Sequence, residues 1–444
     1  MTVSRTICLG FLATIAIGTI LLMLPISTNE GTWNNPIVAV FTATSAVCVT
    51  GLVVVDTGSY YSGLGQFFIL LMIQIGGLGY MTATSFLLIL LGRKFRLRDK
   101  VALQQSFDKP GMAGVAQLIR SIIAATLIIE ISGAILMMPL FAPEYGNISG
   151  LWLSIFHSIS AFNNAGFSIF ADSLVQYARS PLMNIVITLL VIFGGIGYDA
   201  IMEMYFWVRD RLKGRTERGV FSLHFKMATS TTLFLLIMGT IVFFSTELYN
   251  PNTLGTWSFG EKLLGAWFQS VTTRTAGFNT IDLGQMTAAG LLVTIVFMFV
   301  GASSGSTGGG IKTTTVRVLF NATKAVLQGR DRVLCYNRQI PMELVLKAIG
   351  VVVTYLAVAI ASTIALCITD PNLTLVQILF EVVSAIATVG LSMGITASFS
   401  TLGQLVLIIT MYVGRVGALL LVNAILGDPK PTIIRYPEEE LLVG

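Results

Sequence analysis

Four glycines in this sequence stand where backbone carbonyls could replace the hydration shell of a cation. They close the segments FTATSAVCVTG, FHSISAFNNAG, FQSVTTRTAG and FEVVSAIATVG. Each segment opens on a phenylalanine (Phe41, Phe156, Phe268, Phe380) and carries a hydroxyl four residues on (Ser45, Ser160, Thr272, Ser384). Each then ends at Gly51, Gly166, Gly277 or Gly390, with Phe-to-Gly offsets of 10, 10, 9 and 10. The residues just before are Val49-Thr50, Asn164-Ala165, Thr275-Ala276 and Thr388-Val389, with no carboxylate among them. Rings of carbonyl oxygens suit a weakly hydrated monovalent cation, whereas acidic rings mark other cation channels. Glycine fits such a turn because it adopts positive φ and leaves room for an ion.

A second stretch, GASSGSTGGGIKTTTVR (301–317), nearly spells the phosphate-binding pattern G-x-x-x-x-G-K-[ST]. Ile311 displaces the lysine, and the stretch follows LLVTIVFMFV instead of a strand. No acidic magnesium ligand stands nearby. The four cysteines and two histidines are scattered, so no zinc site can be assembled.

The elements that must position these residues follow from composition. Hydrophobic residues make up 54% and charged residues 11%, and the mean hydropathy is +0.81. Soluble domains carry roughly 25% charged residues, so the chain is an integral membrane protein. The first apolar run follows Arg5 but lacks a small-residue cleavage site, and reads as a first transmembrane helix. Eight stretches reach the length that spans a bilayer core: 7–24, 64–91, 115–140, 182–207, 224–246, 287–326 (interrupted), 343–368 and 401–426. The glycine-closed segments fall between successive pairs.

The glycines lie 115, 111 and 113 residues apart in a chain of 444. That period is an internal fourfold repeat. A small-residue patch recurs in phase: IGGLG (75–79), FGGIG (193–197), VGASSG (300–305) and VGRVG (413–417). Such patches let membrane helices approach closely. The expected fold is therefore an all-α membrane protein with eight transmembrane helices. Four tandem helix–pore-loop–helix repeats surround a pseudo-fourfold axis, at 1–100, 101–215, 216–335 and 336–444. Irregular backbone survives at membrane depth only inside protein or around a watery cavity, so four such loops meeting on one axis point to an ion pore. The filter would be Val49, Thr50, Gly51; Asn164, Ala165, Gly166; Thr275, Ala276, Gly277; and Thr388, Val389, Gly390.

Bases cluster after the second, fourth, sixth and eighth stretches, as in GRKFRLRDK (92–100) and RDRLKGRTER (209–218). The positive-inside rule makes these ends, and both termini, cytoplasmic. Arg415 sits at membrane depth in the fourth small-residue patch, where ionisable groups usually line a pathway. The run with three consecutive glycines breaks the third inner helix, because each glycine costs about 1 kcal/mol against alanine, while the other three units are expected to continue as helix. Gly305, Ser306, Thr307, Gly308, Gly309, Gly310, Lys312 and Arg415 thus form a candidate gate, with Lys312 on its cytoplasmic side. Arg274 is placed to brace the filter through loop carbonyls. Glu130 reads either as a coupling-ion site or as a residue paired with a neighbouring helix. Asp199, Glu203 and Arg209 read as interface residues near the cytoplasmic end.

The chain resembles the membrane subunit of the Trk/Ktr/HKT superfamily of potassium transporters, most of all a Ktr-type subunit. The resemblance covers nearly the whole chain and rests on LLMLPIST (21–28), VTGLVVVDTG (49–58), IQIGGLGYM (73–81), SAFNNAGFS (160–168), RTAGFN (274–279), TVGLSMG (388–394), GRVG (414–417) and IRYPEEE (434–440). It implies potassium uptake in a bacterial cytoplasmic membrane, with an inner-helix arginine that narrows the pore together with the glycine-rich loop. Plant HKT members often carry Ser at the first filter glycine, which favours sodium; Gly51 implies potassium. The resemblance also implies a homodimer on a cytosolic RCK/KTN-type nucleotide-binding ring, docked on the basic loops, with the tail reaching the other protomer. Partners are then membrane lipid and these subunits, not nucleic acid, and the chain itself binds no cofactor beyond potassium, with sodium as a coupling or activating ion left open. The alternative within the superfamily is a sodium-selective or low-selectivity monovalent cation transporter. An enzyme or pump using 305–313 as a phosphate loop lacks the required context. A carrier of organic solutes would show an inverted twofold repeat.

Overall fold

The computed structural model describes residues 3–79, 115–214 and 221–427. In chain order the main helices are α1 (Val3–Met23), α2 (Pro36–Val47), α3 (Gly63–Leu78), α4 (Val115–Tyr145), α5 (Asn147–Phe162), α6 (Pro181–Ile196), α7 (Tyr198–Leu212), α8 (Leu223–Glu247), α9 (Phe259–Thr272), α10 (Ala288–Phe299), α11 (Thr313–Leu327), α12 (Met342–Thr369), α13 (Leu375–Ile386), α14 (Thr401–Val416) and α15 (Ala418–Leu426). One two-stranded ribbon, Leu334–Cys335 with Arg338–Gln339, follows α11.

Four of these helices, α1, α4, α8 and α12, contain enough apolar length to cross a bilayer alone. Counting α6–α7 and α14–α15 as bent spans raises the number to six among the described residues. The long helices expose Ile17 and Ile20, Ile128 and Ile135, Phe234 and Ile241, and Ile360 and Ile368 on their outer faces. A soluble monomer rarely shows apolar patches of that extent; hydrocarbon is the solvent that tolerates them. The chain is a multi-pass membrane protein.

Local sequence sets where the helices start. Ser62, Ser180, Thr287 and Ser400 cap α3, α6, α10 and α14, their side chains accepting from the backbone N–H of Gly65, Met183, Gly290 and Gly403. Such caps satisfy otherwise orphaned donors. Two of the helices that lead to the repeat glycines, α9 and α13, begin with full capping boxes, Ser258–Glu261 and Thr374–Gln377. Asn35 and Pro36 start α2. Glu203 extends this pattern: its carboxylate accepts from the backbone and hydroxyl of Ser222, the cap of α8.

The small-residue patches make close contacts, as their composition suggests. A β-carbon on Gly76, Gly194 or Gly414 would overlap the carbonyl oxygen of Val47, Phe162 or Ile386. Hence α3, α6 and α14 press directly on the last turns of α2, α5 and α13.

The expected continuation of the inner helices past these patches is overturned. The chain bends by 104° between α6 and α7 and by 93° between α14 and α15. Gly197 (φ 98°) and Gly417 (φ 90°) stand at the bends, and α3 ends at Gly79 with φ 78°. A left-handed residue interrupts the helical ladder, which hydropathy alone does not register. The stretches 182–207 and 401–426 are therefore not straight crossings, and 287–326 breaks between Phe299 and Thr313. Residues 80–91 of the second stretch, the basic run 92–100, and Lys430, Arg435 and the tail 434–440 lie outside the described residues.

Candidate functional site

The four repeat glycines meet. A β-carbon on Gly51 would lie 2.5 Å from the Ala165 carbonyl oxygen, one on Gly166 would lie 2.9 Å from that of Ala276, and one on Gly277 would lie 2.6 Å from that of Val389. On Gly390 it would overlap the carbonyl oxygen of Thr50. The contacts run Gly51 to Gly166 to Gly277 to Gly390 and back to Gly51, a closed circuit. All four glycines have positive φ, so a side chain at any of them would be both strained and obstructed.

The turn into each glycine is built the same way. Val49, Asn164, Thr275 and Thr388 adopt φ of 55°, 56°, 68° and 50°. Non-glycine residues in this region are uncommon and persist where the surroundings hold them. The holding bonds come from the repeated hydroxyl residues. Thr50, Ala165 and Val389 each donate their N–H to the carbonyl of Ser45, Ser160 and Ser384, all at 2.8 Å. Ala276 donates to Thr272, one residue nearer, at 3.0 Å, so the shorter offset in the third segment is absorbed by a tighter turn. The hydroxyls of Ser45 and Ser384 accept from Gly51 and Gly390, both at 3.1 Å. Those of Ser160 and Thr272 donate instead to the carbonyls of Phe167 and Phe278. The buried hydroxyls of Thr50 and Thr388 have no hydrogen-bond partner among the described residues.

On one side of the glycines lies a cavity of about 360 Å³, lined by all four of them and by Asp56, Asp172 and Asp282. Among the described residues no basic side chain lines it. Opposed like potentials in such a concavity raise the local cation concentration. Nothing in the spacing of Asp56, Asp172 and Asp282 along the chain showed that they share a cavity.

On the other side packs the glycine-rich segment. A β-carbon on Gly308 would meet the side chains of Thr275 and Ala302, and one on Gly309 that of Thr388. The segment is folded on itself by Gly301 N–H to the Ile311 carbonyl (2.9 Å) and Ala302 N–H to the Gly309 carbonyl (3.3 Å). It is also stitched to the α6–α7 bend: Ser303 and Thr307 donate to Gly195 (2.9 Å) and Gly194 (3.2 Å), and Tyr198 donates to Gly305 (3.0 Å). The N–H groups of Gly301, Ala302, Ser303 and Thr307 are thus engaged with protein carbonyls.

Arg415 reaches this segment. Its guanidinium donates to the carbonyl of Thr307 and, across 339 residues of sequence, to that of Gly76. Tyr355 donates to the neighbouring Gly414 carbonyl at 2.9 Å. The Lys312 amine folds back to donate to Gly308 at 2.6 Å and Gly309 at 3.4 Å. Arg274 departs from expectation. Its guanidinium donates to Gly301 at 3.4 Å, so it serves the glycine-rich segment and not the carbonyls around Gly277. Glu130 is buried and accepts from Asn163 (3.0 Å) and Gln74 (3.4 Å), joining α4 to α5 and α3.

Sequence reasoning placed the glycines, the hydroxyl residues and Arg415 in one functional region, and they do come together. It missed Gly194, Gly195 and Tyr198 as partners of the glycine-rich segment, and Gly76 as a partner of Arg415. The shared phase of IGGLG and FGGIG with VGASSG was the available signal.

Residues 5–434 match the model of the TrkH family, described as a cation transport protein. The chain is 40% identical over 441 residues to the Ktr system potassium uptake protein B of Bacillus subtilis (strain 168), covering 99% of this chain and 96% of that protein. It is 38% identical to the potassium/sodium uptake protein NtpJ of Enterococcus hirae, covering 99% of this chain and 97% of that one. The crystal structure of the potassium transporter TrkH from Vibrio parahaemolyticus superposes with a TM-score of 0.70 at 19% identity, over 95% of this chain and 85% of that chain; at that identity the likeness concerns the fold alone. The Ktr-type resemblance carried by the motifs is borne out, and the chain belongs to the TrkH family of cation transport proteins.

Proposed function

We propose that this chain carries potassium into a bacterial cell across the cytoplasmic membrane, through a filter of backbone carbonyls around Gly51, Gly166, Gly277 and Gly390. The closed circuit of glycine–carbonyl contacts is the observation that carries the reading. It supports four helix–pore-loop–helix repeats around a pseudo-fourfold axis, with the repeats at 1–100, 101–215, 216–335 and 336–444. Eight spans, with both termini cytoplasmic, then place the acidic cavity outside and the glycine-rich segment within. The unpartnered hydroxyls of Thr50 and Thr388 fit such a filter, since buried polar groups normally find partners and a dehydrated cation supplies one. The relatives are named for potassium uptake, and NtpJ for potassium and sodium.

Residues 305–310, with Lys312 and Arg415, form the gate in this reading. They lie against Asn164, Thr275 and Thr388, at the inner end of the filter. A homodimer on a cytosolic RCK/KTN-type ring would control the loop, with sodium as a coupling or activating ion. The test is potassium and sodium uptake in a transport-deficient host, with and without such a regulatory subunit. Gly51→Ser places a side chain at φ 93° against Ala165 and should admit sodium; an unchanged potassium preference would sink the filter assignment.

A further inference from the structure

The residue after each repeat phenylalanine is polar and buried: Thr42, His157, Gln269 and Glu381. In two of the four repeats this side chain ties its helix to the second residue beyond the glycine. On α13, the Glu381 carboxylate accepts from the Ser392 hydroxyl, from Met393 N–H at 3.2 Å and from the Thr396 hydroxyl at 3.1 Å. On α5, His157 Nδ1 faces the Leu153 carbonyl at 2.8 Å and so carries the proton. Nε2 is then the acceptor, and the Ser168 hydroxyl lies 3.0 Å from it. Ser168 and Ser392 each stand two residues past a ring glycine, and both line the cavity.

The other two repeats lack the tie. The Thr42 hydroxyl accepts from Tyr61 at 3.1 Å, and the matching place beyond Gly51 is Val53, which has no polar side chain. Both amide atoms of Gln269 lack a partner among the described residues. Asn279, two past Gly277, turns its amide to the Ile281 carbonyl at 3.3 Å. Tied and untied loops alternate along the glycine circuit, so the tied pair face each other across it.

We propose that Glu381 and His157 are positioning residues that clamp two opposed loops of the filter, and that discrimination between potassium and sodium depends on this pair more than on the other two loops. The inference rests on the reading of the glycine circuit as a filter. A carbonyl ring discriminates against a smaller cation only while its loops resist closing in, or while the number of oxygens is held constant. A side-chain tie two residues beyond the glycine supplies that resistance. A loop without it lacks that resistance at this position.

The test uses the full-length chain in proteoliposomes, with rubidium and sodium tracer fluxes measured side by side. Ser392→Ala deletes one oxygen and removes a hydrogen bond to a carboxylate, so the rubidium-to-sodium ratio should fall by about tenfold. Glu381→Gln should fall in the same direction, and Ser392→Thr, which keeps the hydroxyl, should restore the ratio. Ser168→Ala breaks a neutral bond and should lower the ratio by roughly threefold. Gln269→Ala and Thr42→Val should leave it near that of the parent. Monodisperse elution and a measurable rubidium flux in the serine variants separate a selectivity effect from misfolding. A ratio unmoved in both Ser392→Ala and Ser168→Ala, or moved as far by Gln269→Ala, overturns the clamp. Gly51→Ser and Gly390→Ser run in parallel: if they abolish discrimination while the serine variants do not, the clamp alone falls. If the glycine variants leave it intact, the filter reading falls with it.

Discussion

At the same phase of the repeat, the α6–α7 junction and the 300–312 segment solve one problem in opposite ways. Both lie at the C-terminal end of a helix that follows a ring glycine. At α6–α7 one residue, Gly197 with φ 98°, turns the chain by 104° and the helix resumes at once. Between α10 and α11 the chain instead spends Val300 to Lys312 without regular helix. A single-residue bend leaves few backbone groups unpaired. The excursion from Val300 to Lys312 leaves many, and at membrane depth each must find protein. The segment finds partners on several other elements: Phe162 of α5, Gly194 and Gly195 of α6, Tyr198 of α7 and Arg415 of α14, with Arg274 just beyond α9. The bend completes its bonding with the segment alone, through Gly194, Gly195 and Tyr198, whereas the segment draws on several repeats. A structure held by others' contacts can be released by changing those contacts, and this is the physical basis for assigning the gate to the third repeat.

That contrast can be broken most directly by deletion. Removing Gly305–Gly310 should raise potassium flux by far more than any point change. Loss of flux from a chain that still inserts and elutes normally would show that the segment supports the path and does not close it. Next in size is Arg415→Ala. It removes two charge-assisted bonds, each worth roughly 1.5–3 kcal/mol, so leak measured without a regulatory subunit should rise about tenfold or more. No change would reduce Arg415 to a packing residue. The smallest effect sharpens the other half of the comparison and reads thermal stability. Gly197→Ala meets positive φ and the Ser304 carbonyl 2.7 Å away, whereas Gly417→Ala meets the same φ type with open space around it. The first should lower stability by roughly 2 kcal/mol or more, the second by about 1 kcal/mol. Equal losses would mean that contact with the segment adds nothing at the α6–α7 bend.

Much of the site was legible in the chain. Phe, hydroxyl and glycine recur at a fixed spacing because each repeat needs the same helix end, the same back-bond and the same positive φ. Even the one-residue slip in the third segment had a local cause, the tighter bond from Ala276 to Thr272. The bends at Gly197 and Gly417 were not legible, since an apolar run reads alike whether or not one glycine within it turns left-handed. Arg274 was placed beside the right loop but matched to the wrong carbonyl, because a long side chain reaches several acceptors and only packing chooses among them.

The sequence by itself determined the solvent, the repeat and the chemistry of the four turns, because hydropathy, spacing and backbone preference act over neighbouring residues. The tertiary structure decided which carbonyl meets which glycine, where the excursion at 300–312 finds its donors and acceptors, and that Arg415 bridges Thr307 and Gly76. Those contacts join residues hundreds of positions apart. They exist only once helices from different repeats have packed closely enough for backbone to touch backbone.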